Sequence, residues 1–307
     1  MDLRQFRYFI SVAETGSFSR AAETLAVAQS ALSRQIALLE GELGQRLFHR
    51  HGRGVRLNEA GKRLYAHGRG ILEQVSRAKE DVIELRGAPV GKVVLGLPYS
   101  VSRKFSPPFV RAFTEAFPQA KLAITEGSSD HILEWLALGR IDIGLAFNPG
   151  NAPGIKTTKL VQDQLCLITT RKVPLVAAGK NGTIPLRELA RCPVIIPSGS
   201  HTLRTFVDEQ FARSGLELNV RLEMDSIATI IDLIRNKEGV AVLPGSVATA
   251  YAIRGDLAAY PVVQPRLPFS LHMAIYESRP LTIIARRSAD LIQSLIPKLV
   301  RADNVIA

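Results

Sequence analysis

The first 44 residues carry three successive helical patterns, and the spacing of the last two restricts the fold most strongly. Residues 3–13 repeat apolar side chains at helical spacing, and Gly16 ends the pattern. Ser17 is a suitable N-cap for a short second helix, and a third helix begins after a tight connection near residues 26–28. Two short helices joined by three or four residues are typical of a helix-turn-helix. We expect this motif at about residues 18–37.

The third helix separates apolar from polar side chains. The predicted buried stripe consists of Ala31, Leu32, Ile36, Leu39 and Leu43. The opposite, polar face carries Gln29, Ser30, Ser33, Arg34 and Gln35. Glutamine and serine can form hydrogen bonds with base edges, and arginine can bind guanine or phosphate, so this face suits contact with DNA. The pattern alone leaves open an ordinary helical hairpin with a solvated face.

A basic segment follows the three helices. Residues 50–57 contain Arg50, Arg53 and Arg56 around turn-forming glycines, which predicts a short hairpin. A basic hairpin beside a recognition helix is a wing, positioned to contact phosphates or the minor groove. The net charge of +11 does not locate such a site, because basic residues exceed acidic ones in both the first third of the chain and the remainder. The local density of basic residues does locate a candidate site, since residues 46–69 hold seven basic side chains and one acidic one.

A long helix is predicted from Asn58, its N-cap, to about residue 86. Its small and apolar residues recur every three or four positions, at 64, 68, 71, 75, 78, 82 and 85. This spacing is typical of a coiled-coil seam, interrupted only by Gly68. We expect the helix to associate with a second copy, because a dimer would present two recognition helices to successive major grooves. Residues 87–91 form the predicted hinge.

Beyond residue 91, strand and helix patterns alternate, which implies parallel sheets covered by helices. A faint internal repeat accompanies the alternation. A polar loop at residues 127–130 leads through a helix into a predicted strand at 141–147, and residues 224–226 lead in the same way into a strand at 240–244. Two similar lobes side by side would enclose a cleft, and ligands of such folds bind at strand ends and helix N-termini.

Several short motifs occur together, in order, between residues 17 and 61. They are Ser17–Ala22, Gln29–Ile36, Leu39-Glu40, Leu43-Gly44, Leu47–Arg50 and Ala60-Gly61. In this order and spacing they resemble the LysR-type transcriptional regulators of bacteria. The remainder of the chain is similar to that family in architecture more than in motifs.

The resemblance implies a multi-domain protein with an N-terminal, all-α winged helix-turn-helix. It also implies an α/β, two-lobed effector-binding domain of periplasmic-binding-protein type. The implied boundaries are 1–58 for DNA binding, 59–88 for the linker and dimerisation helix, and 89–307 for the effector domain. Within the effector domain, lobe I would hold residues 92–161 and 268–307, and lobe II would hold residues 162–267.

The same resemblance implies a sequence-specific regulator of double-stranded promoter DNA. A small-molecule co-inducer, a small organic acid or metabolite, would bind between the lobes, and no other cofactor is implied. Partners would be a second copy through the linker helix, further copies in a homotetramer, and RNA polymerase. The positions that match the family's DNA contacts are Gln29, Ser30, Ser33, Arg34, Arg50 and Arg53. One departure is Ala28, which cannot cap the third helix as a serine or threonine would.

By the same resemblance, the effector pocket is expected where four loops converge between the lobes. The candidate side chains are Ser100, Ser102, Ser128, Phe147, Ser198, Ser200, His201 and Thr202. Their hydroxyl groups and nearby free N–H groups could hold a carboxylate. For each serine, simple N-capping is an equally good interpretation, and a lone histidine is more often structural.

Three other classes of protein fit the sequence less well. For an enzyme, the pairs Gly52/Gly54 and Gly68/Gly70 lack the third glycine of a dinucleotide fingerprint, and Ser198-Gly199-Ser200 lacks the frame of a serine hydrolase. A transport-type solute-binding protein would leave residues 1–91 unexplained and would need an export signal. A DNA-architectural protein that senses nothing would leave the large α/β domain unexplained.

The remaining composition restricts location and redox chemistry. Cys166 and Cys192 predict buried free thiols and not a disulfide framework, although a redox-sensing pair stays open. The histidines form no metal-binding motif. The N-terminus lacks a signal sequence, and no apolar run approaches the roughly 18 residues that span a membrane. We therefore expect a cytoplasmic protein without membrane association.

Overall fold

The computed structural model describes residues 1–51, 54–84, 91–171, 182–199, 201–251 and 255–303. The chain divides into two compact units, residues 1–88 with 138–140, and residues 89–137 with 141–307. Each unit has a hydrophobic core of its own. Among the described helices, none is both long and apolar enough to cross a membrane.

The N-terminal unit contains the three predicted helices. Its elements are α1 (Leu3–Thr15), α2 (Phe18–Thr24), α3 (Gln29–Leu43), β1 (Phe48–His51), β2 (Gly54–Leu57) and α4 (Glu59–Glu84). Gly16 and Gly44 end α1 and α3 with φ of 63° each, a left-handed conformation that glycine adopts without steric cost. The hydroxyl of Ser17 accepts a hydrogen bond from the N–H of Arg20 and caps α2, as predicted. Ala28 makes no side-chain cap for α3.

One narrow stripe of α3 is buried, and it differs in part from the predicted one. Leu32, Ile36 and Leu39 lie in the core as expected, but Ala31 is exposed. Neighbouring helical residues point about 100° apart, so Ala31 faces away from the stripe that begins at Leu32. Leu43, the last residue of the helix, is 37% exposed and does not belong to the buried stripe. The predicted burial of Ala31 and Leu43 was therefore wrong.

The predicted wing is an antiparallel hairpin of β1 and β2, which pair from Phe48 with Leu57 to His51 with Gly54. It is seated on the end of α1. The N–H of Val55 donates to the carbonyl of Gly16 at 3.0 Å, and a Cβ atom on Gly54 would lie 2.5 Å from that same oxygen. Glycine is required at position 54 because the two backbones approach so closely.

Helix α4 packs its first turns against α1 within the N-terminal unit. Gly68 is buried there, and a Cβ atom on it would lie 2.8 Å from Phe6. The close approach of the two helices explains the glycine that interrupts the predicted seam. Farther along the same seam, Ile71 and Val82 are 37% and 67% exposed. The start of the stripe is thus covered by the chain's own α1, whereas self-association was predicted for all of it. Residue 85 lies outside the described residues.

The C-terminal unit alternates strands and helices. Its first elements are β3 (Lys92–Pro98), α5 (Tyr99–Ala116), β4 (Lys121–Gly127), α6 (Ser129–Ala137), β5 (Ile143–Phe147) and β6 (Ile155–Thr170). There follow β7 (Ile184–Pro185), α7 (Leu186–Leu189), β8 (Val194–Ile196), α8 (Thr202–Arg213), β9 (Val220–Glu223) and α9 (Ile227–Arg235). The last are β10 (Val240–Pro244), α10 (Gly245–Tyr251), β11 (Leu257–Val263), β12 (Pro268–Tyr276) and α11 (Ile283–Asp303).

The sheet is mixed, so the expectation of purely parallel sheets was wrong at its centre. The strand order is β4-β3-β5-β12-β6-β10-β8-β9, with β11 beside β6. Strand β3 is parallel to β4 and β5, and β8 is parallel to β9 and β10, as predicted. Strands β6 and β12 run antiparallel to their neighbours. Strand β6 leads from lobe I into lobe II, and β12 follows the return to lobe I; antiparallel neighbours such as these need none of the crossover helices that parallel pairs require.

Strand β6 passes through both lobes. Residues 155–164 pair with β12, whereas residues 165–170 pair with β10 on one edge and β11 on the other. The predicted lobe division after residue 161 falls inside this strand. Residues 156–159 of this strand are polar and exposed, so the sequence has no apolar alternation that would predict a strand there.

The faint sequence repeat corresponds to a repeated topology. Each lobe has a β-α-β-α-β unit whose first strand lies between the other two, in the order β4-β3-β5 and β9-β8-β10. In such units the helices begin at the carboxyl ends of parallel strands. This arrangement brings polar loops of both lobes to one cleft.

Candidate functional site

The exposed face of α3 brings together the four polar residues predicted on it. Gln29, Ser30 and Arg34 are exposed, and Ser33 is half-buried. Residues four apart on a helix are neighbours, so Gln29 lies next to Ser33, and Ser30 next to Arg34. The Oε1 atom of Gln29 accepts a hydrogen bond from the hydroxyl of Ser19 at 3.2 Å, which ties the start of α3 to α2. The result is a polar surface with one cationic side chain.

A groove between α1 and α3 adjoins this face. Arg4 and Tyr8 of α1 line it together with Ser30 and Arg34 of α3. Sequence reasoning missed Arg4, because the helical periodicity of α1 marks only its buried side. The groove adds a second positive charge beside Arg34.

A buried carboxylate joins α3 to the wing. Glu40 is only 7% exposed, and its two oxygens accept hydrogen bonds from the backbone N–H of Leu47 at 2.8 Å and from the guanidinium of Arg46 at 2.9 Å. A buried backbone N–H needs such a partner, so Glu40 fixes the chain where it leaves α3 for β1. Sequence reasoning quoted Glu40 as part of a motif but assigned it no role.

Part of the basic cluster at residues 46–69 is neutralised locally. Arg46, Lys62 and Arg69 form ion pairs with Glu40, Glu59 and Glu14. Arg56 and Arg63 are exposed and make no ion pair within the described part of the chain. Arg53 lies outside the described residues, as does the side chain of Arg50. The charge available to a polyanion is therefore smaller than the sequence count indicated.

The second group of predicted residues surrounds a cavity between the lobes. It encloses about 430 Å³, partly open to solvent. Five of the eight predicted residues line it, namely Ser100, Ser128, Phe147, His201 and Thr202. The first three belong to lobe I, and the last two begin α8 in lobe II. The cavity thus lies where the two repeated units face each other.

Two of the other predicted residues, Ser102 and Ser198, do not line this cavity. Ser102 is buried, and its hydroxyl pairs with that of Ser106 at 2.9 Å. Ser100 and Ser102, expected on a loop, lie in the first turns of α5, which begins at Tyr99, and the helix turns Ser102 inward. Ser198 is bound through its N–H and hydroxyl to the carboxylate of Asp225, at 2.9 and 2.7 Å. Ser200 lies outside the described residues.

The helices that start at the cavity differ in their caps. Helix α5 follows Pro98 and has no side-chain cap, so its first N–H groups have no side-chain acceptor. In α6, the hydroxyl of Ser128 accepts from the N–H of His131 at 3.4 Å. In α8, the Nδ1 atom of His201 accepts from the N–H of Leu203 at 3.1 Å. The start of α5 is therefore the most favourable of the three for an added anion.

Two further residues at the cleft, Asp130 and Ser129, were not among the eight candidate side chains. The hydroxyl of Thr202 donates to the carboxylate of Asp130 at 2.7 Å, which bridges lobe II to lobe I. Ser129 is buried, and its hydroxyl accepts from the N–H of Phe147 at 3.0 Å, which fixes the end of β5. Ser129 and Asp130 are the first two residues of α6 and belong to the polar segment that the repeat had indicated, but the sequence does not tell which side chains face the opposite lobe.

The surroundings of His201, Cys166 and Cys192 favour the uncharged forms of these side chains. Burial lowers the pKa of His201, although Asp225 and Asp130 act in the opposite direction. Its Nδ1 atom is an acceptor, so the neutral ring is favoured. Burial raises the pKa of Cys166 to about 12 and also raises the pKa of Cys192, which disfavours reactive thiolates. Within the described residues, no group of His, Cys, Asp and Glu side chains could hold a metal ion.

Two family models together cover most of the chain. One, described as a bacterial regulatory helix-turn-helix protein of the lysR family, matches residues 3–62. The other, the LysR substrate binding domain, matches residues 86–296. The chain belongs to the LysR family. The resemblance read from residues 17–61 is confirmed, and this LysR-family chain is a DNA-binding transcriptional regulator with a substrate-binding domain.

Individual relatives span nearly the whole chain. The nitrogen assimilation regulatory protein nac of Escherichia coli (strain K12) is 31% identical, over 96% of this chain and 95% of that protein. The transcriptional activator CmpR of Synechocystis sp. is 27% identical, over 94% and 93%. The crystal structure of full-length CbnR complexed with its target DNA has a TM-score of 0.66 at 27% identity, and covers 94% of this chain and 100% of that one. The solute-binding and purely architectural alternatives are not favoured.

Proposed function

We propose that this regulator alters its binding to promoter DNA when a small organic acid occupies the cleft between the two lobes. The observation that carries the proposal is the start of α5, which opens onto the interlobe cavity without a side-chain cap. Free N–H groups and the helix dipole favour a carboxylate at such a position. Ser100, in the first turn of α5, adds a hydroxyl group beside them.

We propose that Gln29, Ser30, Ser33 and Arg34 contact bases and that Arg50 and Arg53 of the wing contact phosphates. The exposed polar face of α3 supports the first assignment. The basic composition of the hairpin supports the second. The similar CbnR has been crystallised in complex with its target DNA, which supports DNA as the partner of these surfaces.

For assembly, we infer a homodimer through the linker helix and a homotetramer of two such dimers. The exposed Ile71 and Val82 on α4 support the dimer, because a second copy would remove them from water. We further propose that the protein acts in the cytoplasm, has no enzymatic activity of its own, and needs no cofactor apart from the small-molecule effector. Contact with RNA polymerase would follow from promoter binding.

The test compares two variants at Ser100 whose new side chains, asparagine and aspartate, have nearly the same shape but differ in charge. Asparagine adds a neutral group at the start of α5, whereas aspartate adds a negative charge there, and both are tolerated in a first helical turn. A panel of small mono- and dicarboxylates is first screened for its effect on promoter binding, by fluorescence anisotropy of the full chain. For an acid that changes the affinity, Ser100→Asp should abolish the response, and Ser100→Asn should keep it. A Ser100→Asp variant that responds like the original protein contradicts the proposed site.

A further inference from the structure

Helix α4 is fixed at two places to the headpiece, by which we mean residues 1–57. At its N-cap, Asn58 donates from its N–H to the carbonyl of Leu47 at 3.0 Å and from Nδ2 to the carbonyl of Arg46 at 2.7 Å. Farther along, Gly68 lies so close to α1 that a Cβ atom on it would be 2.8 Å from the ring of Phe6. Residues 58 and 68 are about 15 Å apart along the helix, and two contacts at that separation determine its direction.

A polar cluster on α1 and α4 reinforces the second contact. The Oε1 atom of Glu14, in the last turn of α1, accepts from the guanidinium of Arg69 at 2.6 Å and from the hydroxyl of Tyr65 at 3.0 Å. Tyr65 and Arg69 are four residues apart on α4 and therefore lie on one face. The ring of Tyr65 is half-buried and packs against the core of the N-terminal unit. We call these three residues the Glu14 cluster.

The cluster joins α4 to the end of α1 that also holds the wing. The carbonyl of Gly16, two residues after Glu14, accepts from the N–H of Val55 in β2. Burial raises the pKa of Tyr65, and Glu14 adds to this effect, so the phenol stays protonated and continues to donate to the carboxylate. The direction of α4 is thus tied to the wing and to α1 together.

Small changes in this direction have large consequences at the far end of α4. From Gly68 to the exposed Val82 the helix extends for about 21 Å. A change of about 10° in its direction would displace Val82 by about 4 Å, close to the rise of about 3.4 Å per base pair of DNA. The angle between α4 and the headpiece therefore matters on the scale of a single base pair.

We propose that the Glu14 cluster and the contact at Gly68 set the angle of α4 and, through it, the spacing of the two DNA half-sites that a dimer accepts. The inference rests on the proposed dimer through the linker helix. In such a dimer each headpiece is carried by its own α4, and both recognition helices must reach major grooves at a fixed separation. Glu14, Tyr65, Gly68 and Arg69 are positioning residues, which place α3 without reading bases.

The spacing preference can be measured directly. The full chain first selects bound sequences from a pool of random-sequence DNA duplexes, which identifies the two half-sites and their separation. Duplexes with this separation, and with one or two base pairs more or fewer, are then compared by fluorescence anisotropy. The ratio of the affinities for the selected and the altered spacings is the readout, because a general loss of stability or charge would change all the affinities alike.

Glu14→Ala removes both hydrogen bonds of the cluster from an exposed helical position. The preference for the selected spacing should fall about three- to fivefold, because an exposed ion pair contributes little by itself but both copies lose one. Glu59→Ala is the matched control. Glu59 pairs with Lys62 within α4, so this variant makes the same change in charge and should retain the preference of the original protein.

Gly68→Ala tests the same angle by steric means. The added methyl group cannot fit against the buried Phe6 unless α4 moves, so the selected spacing should lose its advantage over a neighbouring one. Gly41→Ala is the control for this substitution, because a Cβ atom at that position of α3 meets nothing within 4 Å. Its spacing preference should equal that of the original protein.

The proposal is overturned if either Glu14→Ala or Gly68→Ala, when folded, has the spacing preference of the original protein, even with a lower affinity at every spacing. Selection of single half-sites, without a second one at a fixed distance, would contradict the proposed dimer itself and the inference with it. Melting curves verify that the variants are folded. If Gly68→Ala does not fold, Glu14→Ala decides the question, because its side chain is exposed.

Discussion

The polar side chains of α3 and those of the interlobe cleft differ in how far they are hydrogen-bonded to the rest of the protein. On α3, Ser30 and Arg34 point to solvent and make no hydrogen bond to another residue in the described part of the chain. In the cleft, by contrast, polar side chains are already engaged, as Thr202 is with Asp130 and His201 with Leu203. The proposed DNA-binding surface of α3 thus needs no rearrangement of hydrogen bonds, whereas a ligand of the cleft would have to replace existing bonds or use the uncapped start of α5.

The largest expected effect tests what keeps the α3 surface in place. Glu40→Ala removes the acceptor of the buried N–H of Leu47 and the partner of Arg46. An unsatisfied buried donor costs about 1–3 kcal/mol, and the loss of the carboxylate leaves a gap as well, so we expect the free energy of unfolding to fall by about 3 kcal/mol. Thermal unfolding of the full chain, with promoter binding in parallel, measures the change.

Glu40→Gln is the matched control for that variant. Its amide oxygen can still accept from Leu47, and only the charged bond to Arg46 is weakened. Arg46 is 77% exposed, so that part contributes little. Equal destabilisation by Ala and Gln would show that the charge, and not the backbone hydrogen bond, is what matters.

Arg34 tests whether the free polar face reads bases. Arg34→Ala should weaken binding to a specific promoter by about 1–3 kcal/mol, because a bidentate contact with guanine contributes that much. Arg53→Ala in the wing should instead weaken binding to all sequences and reduce its salt dependence. Electrophoretic mobility shifts at several salt concentrations distinguish the two. Arg213 is an exposed arginine of lobe II, so Arg213→Ala controls for the loss of a positive charge alone. If Arg34→Ala left promoter binding unchanged, Arg34 would not belong to the interface.

The same contrast explains how far the sequence could be interpreted. The helices, caps and wing follow from local signals such as Gly16, Ser17 and Gly54, and surface residues such as Arg34 are identified by helical periodicity. The course of β6 could not be predicted, because its exposed half lacks an apolar pattern and is defined by pairing with β12, more than 100 residues away. The cleft depends on such distant pairings. Five of its eight predicted residues do line it, but whether a serine faces the cavity, as Ser100 does, depends on where α5 begins.

A smaller effect is expected from the bridge across the cleft. Thr202→Val keeps the shape of the side chain but removes its hydrogen bond to Asp130. A hydrogen bond of this kind contributes about 1 kcal/mol, so amide exchange at the starts of α6 and α8 should accelerate by about fivefold. Hydrogen–deuterium exchange measures this. Thr205→Val is the control, because the hydroxyl of Thr205 bonds only to backbone carbonyls within lobe II; similar acceleration in both variants would remove the interlobe role of Thr202.

The smallest effect concerns the pH dependence of the cap on α8. Burial lowers the pKa of His201, so the unfolded chain takes up a proton at a higher pH than the folded protein does. The stability contributed by the neutral ring is complete above about pH 6.5, the ordinary pKa of histidine, and declines as the pH falls below it. Protonation of Nδ1 would also remove the acceptor for the N–H of Leu203. His201→Asn retains an acceptor without titrating, so its melting temperature should change less between pH 7 and pH 5.5 than that of the original protein, by an amount equivalent to about 1 kcal/mol or less. If the melting temperatures of both proteins fell equally between pH 7 and pH 5.5, other groups would account for the pH dependence. The cleft would then differ from the surface of α3 in its hydrogen bonds but would make the stability no more dependent on pH.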